Sequence, residues 1–189
     1  VKDSQKRGRV QKNINRLFDY VVPHFIPSDT QIFIGWSSGC LHSLRWAQER
    51  GMKTMVVRGS THIQNQVDVV KEENAKWGIQ SELPDSKVVE REIKEYALAD
   101  YIFNQTPHVK RTFLENGIPE SKIIQFPTGV DVSQFYPKNK RDDVFRVIYC
   151  GALSFRKGLI YLLKAFQKLQ LPNAELVLVG GAFKEMVDF

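Results

Sequence analysis

Phe145-Arg-Val-Ile-Tyr-Cys-Gly-Ala-Leu-Ser-Phe-Arg-Lys-Gly-Leu-Ile160 is the stretch on which the reading of this chain turns. An apolar run ends at Gly151, a short loop carries Arg156 and Lys157, and Gly158 opens an amphipathic segment. A strand, a glycine, a cationic loop and a helix start are the parts of a phosphate site, because helix N-terminal N–H groups and two cations can converge on one anion. The stretch has neither the G-x-G-x-x-G pattern of dinucleotide folds nor the Lys-Ser/Thr pair of a P-loop.

Working outward, apolar β-rich runs alternate with helical patterns. The expected strands are Gln31–Ile34, Lys53–Val57, Tyr101–Phe103, Lys122–Gln125, Phe145–Cys150 and Glu175–Val179. The expected helices are Leu41–Glu49, Ile63–Trp77, Ser86–Ala99, Thr106–Asn116 and Gly158–Leu169, the last two bounded by Gly117 and Gly158. Val89, Ile93, Tyr96 and Ala97 are expected to share the inner face of the third helix. Continuous apolar strands alternating with helices predict an α/β fold with Rossmann-like parallel sheets, both faces covered. The rhythm breaks between Phe126 and Asp143, where Pro127, Gly129, Pro137 and a charged run lie. This predicts a first domain over 1–126, an interdomain crossing over 127–143 and the start of a second domain over 144–189. Two strands cannot bury a sizeable core, and the chain has no initiator Met, so both domains are expected to be partial.

The 189 residues carry 27 Lys and Arg against 21 Asp and Glu, a net charge of +6. An anionic partner is therefore expected: nucleotide phosphate, acidic lipid or nucleic acid. No apolar run approaches the roughly 20 residues that span a bilayer, and no secretory leader is evident. Part of the positive charge lies in Lys2, Lys6, Arg7, Arg9, Lys12 and Arg16, interleaved with Val10, Ile14, Leu17, Phe18 and Val21 at helical spacing. A helix packed on the core with a basic outer face is expected, with contact to an anionic membrane as the alternative. Cys40 and Cys150 sit in apolar surroundings and are expected to be buried, reduced thiols. The histidines and cysteines show no metal-ligand spacing.

Pro127-Thr-Gly-Val-Asp131, Phe135 and Pro137, Cys150-Gly-Ala-Leu-Ser-Phe-Arg-Lys-Gly158 and Leu178-Val-Gly-Gly181 together resemble the family 4 (group 1) glycosyltransferases of GT-B fold. Glu92 to Tyr101 is similar to the helix-to-strand segment that precedes the crossing in that family, and the resemblance runs from roughly Asp29 to Gly181. It implies a retaining transfer of sugar from a nucleoside diphosphate sugar, a UDP or GDP donor, to an acceptor hydroxyl. It implies no metal and no cofactor beyond the donor substrate, and an acceptor that is a carbohydrate, lipid or polysaccharide. A cytoplasmic place, with the inner face of the membrane as an alternative, goes with it; nucleic acid is not an expected partner. Lys157 and Arg156 are expected to stabilise the departing diphosphate, with Gly151 and Gly158 admitting it closely. Ala152 stands where many members carry Arg, which weakens the case for Arg156 relative to Lys157. His62 is the expected cleft-facing histidine; Gly35, Ser37 and Ser38 are expected to line the acceptor side, or to cap a helix. Glu82 and Glu90 have the E-x7-E spacing but precede the crossing, so that pair is expected beyond Phe189, and the 189 residues alone are expected to be inactive. The alternatives are a non-catalytic nucleotide- or anion-binding Rossmann-like module, and binding of nucleic acid through the basic surface.

Overall fold

The computed structural model describes residues 2–81, 83–137, 139, 142–183 and 186. Its elements are α1 (Lys2–Val21), β1 (Ile32–Trp36), α2 (Leu41–Gln48), β2 (Lys53–Val57), α3 (Ile63–Trp77), α4 (Ser86–Leu98), β3 (Tyr101–Asn104), α5 (Pro107–Glu115), β4 (Ile123–Gln125), β5 (Phe145–Cys150), α6 (Leu159–Leu169) and β6 (Ala174–Val179). The chain divides into two compact units: Val1–Asp68 with Pro84–Gly129, and Val69–Leu83 with Val130–Phe189. All strands pair in parallel, which makes the fold α/β.

The first unit holds a four-stranded sheet in the order β1-β2-β3-β4. Each strand is short and rich in β-branched or aromatic residues, and the helical segments after β1, β2 and β3 return the chain for the next parallel pairing. The core gathers Leu44, Val56, Ile63, Tyr96, Ala99, Ile102 and Phe113, with Phe33 and Ile123 packed against it. Asp100, in the turn between α4 and β3, accepts from the Thr54 N–H at 2.8 Å and the Thr54 hydroxyl at 2.9 Å. These bonds tie that turn to β2 and hold the Asp100 carboxyl below the usual carboxylate range. Among the described residues only one face of the sheet is fully covered. Val56, Ile102 and Asn104 are buried on it, while Ile32, Ile34 and Trp36 of β1 alternate outward and stay more than half exposed. The expectation of a sheet covered on both faces is corrected accordingly.

Two further expectations are corrected here. The buried side of α4 carries Glu92, Glu95, Tyr96 and the following Ala99, whereas Ile93 and Ala97 are exposed. The apolar stripe of α1 is not packed on the core. Val10, Ile14, Leu17, Phe18 and Val21 are all exposed, and among the residues of the helix whose burial is described Asp19 is the buried one. The side of the helix that meets the fold is instead the one carrying Asp19. Asp19 accepts from the N–H groups of His42 at 2.8 Å and Ser43 at 2.9 Å and from the Ser43 hydroxyl at 2.7 Å. It also pairs with Arg91. These donors are the otherwise unsatisfied N–H groups of the first turn of α2, so α1 is held to the fold by its polar side.

The second unit holds the two-stranded sheet β5-β6, with six residues of each strand in register. Two strands leave much of their surface open, and Cys150 is exposed while Cys40 is buried. Only Cys40 fits the expected buried thiol, and its burial, aided by the charges of Glu95 and Asp19, pushes that thiol upward. Helix α6 buries Leu159 and Ile160. The Tyr161 hydroxyl on α6 donates to Glu73 at 2.6 Å and accepts from Lys76 at 2.7 Å. The Lys164 ammonium lies 4.4 Å from the Trp77 ring centroid. The C-terminal half of α3 thereby belongs to this unit.

Candidate functional site

In the second unit the carboxyl ends of β5 and β6 meet at two glycines. Gly151 has a φ of +149° and Gly180 a φ of +153°. A Cβ on Gly180 would stand 1.8 Å from the Gly151 carbonyl oxygen, so only hydrogen fits between the two backbones. The chain then runs through the 3-10 turn Phe155–Lys157, anchored by buried Ser154 and Phe155. The Lys157 N–H donates to the Ser154 carbonyl at 3.1 Å and the Gly158 N–H to the Phe155 carbonyl at 2.9 Å. Gly158 takes φ +72°, a left-handed value that suits glycine, and serves as the N-cap of α6. The first-turn N–H groups of an α-helix have no partner within it, and those of α6 begin here.

Arg156 and Lys157 are exposed, and neither forms an ion pair with any described residue. Their surroundings differ. Arg156 lines a hollow of about 150 Å³ with Val69, Val70, Glu73, Phe155, Gly158 and Tyr161. Lys157 does not line that hollow. Gly151 and Gly180 thus meet at the strand ends, and Arg156, Lys157 and Gly158 follow one another on the turn that leads into α6. Reading the sequence motif by motif missed Gly180 as a site residue; the signal was the glycine pair after an apolar strand, Gly180-Gly181.

The first unit places His62, Gly35, Ser37 and Ser38 at the carboxyl ends of its strands, where ligands of parallel α/β sheets bind. His62 is only 4% exposed, so it is not an open, cleft-facing group in this structure. Its ring packs on Tyr96 and edge-on to Phe113, at centroid distances of 5.1 and 5.2 Å. Burial first, and then the nearby Arg58 charge, push the imidazole down to about 4. The His62 Nδ1 accepts from the Gln64 N–H at 3.2 Å, which places the proton of the neutral ring on Nε2. Gly35 is required for packing, because a Cβ there would meet the Cys40 side chain at 2.5 Å.

Neither Ser37 nor Ser38 caps α2. Ser38 lies at φ +67°, and its N–H and that of Cys40 donate to the Glu95 carboxylate at 2.6 and 3.0 Å. A carboxylate of α4 thus occupies the N–H groups of the turn Gly35-Trp-Ser-Ser-Gly39. Arg91 pairs with Glu95 at 3.2 Å as well as with Asp19. Burial pushes the Glu95 carboxyl upward, against these hydrogen bonds and the Arg91 charge.

Arg58 organises the loop before His62. It donates to the Thr61 carbonyl at 3.2 Å, to Gln66 at 2.8 Å and to Glu92 at 3.2 Å. Glu92 in turn accepts from the Tyr96 hydroxyl. Neither Arg58 nor Glu92 stands out in the sequence, since their partners lie up to 34 positions away. Asn104, at the end of β3, is fully buried and its side-chain amide meets no partner among the described residues. Glu90 is on α4, in the first unit, and Glu82 lies outside the described residues. Among the described residues no cluster of three or more His, Cys, Asp or Glu could hold a metal ion, and no helix is long and apolar enough to cross a membrane.

No family model matches the chain, and no curated protein matches it.

Proposed function

We propose that the chain is part of a GT-B glycosyltransferase of family 4, which moves a sugar from a UDP- or GDP-sugar to an acceptor hydroxyl with retention of configuration. One observation carries the reading. A close-packed glycine pair ends the parallel strands β5 and β6, and two cations that form no ion pair with any described residue follow it on the turn into the first turn of α6. This is the chemistry that a departing diphosphate requires when no metal neutralises it, because donors aimed at developing charge strengthen as the bond to the leaving oxygen breaks. Lys157 is assigned the contact with the diphosphate and Arg156 the role of second cation, with its neighbouring hollow beside it. His62 is assigned the support of the Arg58–His62 loop as a neutral ring rather than proton transfer. Gly35, Ser37 and Ser38 shape the acceptor side through their backbone. The reading places the protein in the cytoplasm, with the inner face of a membrane as the alternative, and gives it a carbohydrate, lipid or polysaccharide acceptor.

The test is Lys157→Ala in the full-length protein, assayed for sugar transfer or hydrolysis with UDP- and GDP-hexoses. Loss of a donor to the transition-state charge costs about 2–4 kcal/mol, or roughly 30- to 1,000-fold in kcat/KM. An unchanged kcat/KM removes Lys157 from the mechanism. A full-length protein that binds UDP without turning over any hexose donor supports instead the non-catalytic nucleotide-binding module.

A further inference from the structure

The open face of the four-stranded sheet carries a row of rings at its carboxyl end. Trp36 of β1 stands opposite Val57 of β2, Val57 opposite Phe103 of β3, and Phe103 opposite Ile124 of β4. Residues in one such row share a face, and their chain neighbours Val56 and Ile102 are buried on the other. At the spacing of neighbouring strands, Trp36 and Phe103 lie roughly 10 Å apart. Phe126, just past β4, extends the row, with its ring centroid 6.3 Å from that of Phe103. Trp36 is 66% and Phe126 63% exposed. The other tryptophans are engaged, Trp46 with Arg50 at 4.1 Å and Trp77 with Lys164 at 4.4 Å. Among the described residues the Trp36 ring meets no cation and no second ring.

Polar groups are set among the rings. Gly59, two residues past β2, leaves room there: a Cβ would stand 3.6 Å from Trp36 Cζ3 and 3.7 Å from Gln105 Nε2. The indole and the amide therefore flank one glycine. Gln105 is half-buried, and its amide bonds no described residue. Charge and polarity together select the ligand. Trp36, Val57, Phe103, Gln105, Ile124 and Phe126 carry no charge. Arg58, next to Gly59 in the chain, is already held by Glu92 at 3.2 Å and by Thr61 and Gln66. The surface thus fits a neutral ligand, although the chain as a whole carries +6. A purely apolar cover would bury the Gln105 amide without a partner, which costs an unmade hydrogen bond. Pyranose rings meet both demands, because their C–H faces lie on aromatic rings and their hydroxyls bond an amide. We infer that this row binds a neutral oligosaccharide, with one sugar on Trp36, another toward Phe103 and Phe126, and a hydroxyl on Gln105. As the seat of the acceptor it rests on the sugar-transfer reading and narrows the acceptor to a carbohydrate chain; as a binding surface it uses no residue of the β5–α6 turn.

The experiment is a titration of the purified protein with maltohexaose, cellohexaose and α-1,6-mannohexaose and with the matching disaccharides, followed by backbone, indole and side-chain amide shifts. Trp36→Ala, Trp36→Tyr and Phe126→Ala accompany the parent. Both rings are exposed, so circular dichroism and the thermal midpoint of the variants should match the parent. At least one hexasaccharide is expected to shift the Trp36 indole N–H and the Gln105 amide and to leave the Trp46 and Trp77 indoles in place. Each stacked ring is worth about two- to tenfold in affinity, so the hexasaccharide should bind that much tighter than its disaccharide, and each alanine variant that much weaker. Trp36→Tyr should restore most of the loss. Binding of none of the three hexasaccharides, equal binding of hexasaccharide and disaccharide, or unchanged binding by Trp36→Ala would each overturn the inference. Self-association abolished by Trp36→Ala, with no sugar bound, would overturn it in favour of a second copy of the chain as the cover. A parallel titration with UDP reads the β5–α6 turn separately. UDP bound with no hexasaccharide removes this surface and leaves the donor site; a hexasaccharide bound with no UDP leaves this surface and removes the donor site.

Discussion

Acidification should destabilise the first unit through His62, by an amount that follows from where the ring lies. In the unfolded chain an imidazole titrates near 6.5. In the fold, burial against Tyr96 and Phe113 and then the Arg58 charge depress it to about 4. A base depressed by folding binds its proton better when unfolded. Its contribution to stability is complete above pH 6.5 and is lost as the pH falls toward 4. The two values give a loss of about 2 kcal/mol at pH 5 and a limit of about 3.4 kcal/mol well below pH 4. Glu92 and Glu95, pushed upward by burial, act in the opposite sense, their share of stability growing as they protonate. A comparison with His62→Gln cancels them. Urea unfolding of both proteins at pH 7.5, 6 and 5 should show the stability difference shifting toward the variant by about 2 kcal/mol across that range. A difference constant to within about 0.5 kcal/mol, or a His62 resonance titrating near 6.5, would refute the buried, neutral ring and return His62 to the list of open site residues.

Other outcomes follow from single contacts. Asp19→Ala leaves two first-turn N–H groups of α2 without acceptors and should cost about 3–5 kcal/mol in urea unfolding, the range for breaking a buried ion pair; a loss under 1 kcal/mol would mean that α1 is not anchored there. Gly180→Ala drives a methyl into the Gly151 carbonyl, and should separate β5 from β6, seen as faster amide exchange at Gly151 and Leu153 and as loss of UDP binding. Native-state titration with an aromatic disulfide should modify Cys150 and spare Cys40, with both reacting in denaturant; early reaction of Cys40 would contradict its burial.

The alternation of strands and helices was legible because each strand is a short β-branched or aromatic run and each helix carries its own apolar period. Strand β5 and helix α3 match the sequence expectation at both ends. What could not be read was which way an amphipathic helix faces when its contact with the fold is made by a buried carboxylate. Asp19 finds Arg91 72 positions away, and Glu95 finds Ser38 57 positions away. No local pattern announces either pair. The same limit hid the turn of α4 toward Glu92 and Glu95, and it made Ser37 and Ser38 look like caps when the capping groups came from other helices. Cys150 misled for another reason. Its apolar neighbours in sequence imply a core, but a two-stranded sheet leaves the strand end open to solvent. The β5–α6 turn, by contrast, was visible as a unit, because its glycines, cations and helix start are consecutive in the chain.

The most direct test of the diphosphate site is a titration of UDP and GDP followed by backbone amide shifts, in the parent protein and in Lys157→Ala. One charge-assisted bond to phosphate is worth about 1.5–3 kcal/mol, or roughly 10- to 150-fold in affinity. The account predicts shifts concentrated at Gly151 and from Arg156 to Leu159, and an affinity at least tenfold weaker in the variant. Shifts that fall elsewhere, or an affinity that Lys157→Ala leaves unchanged, would contradict it.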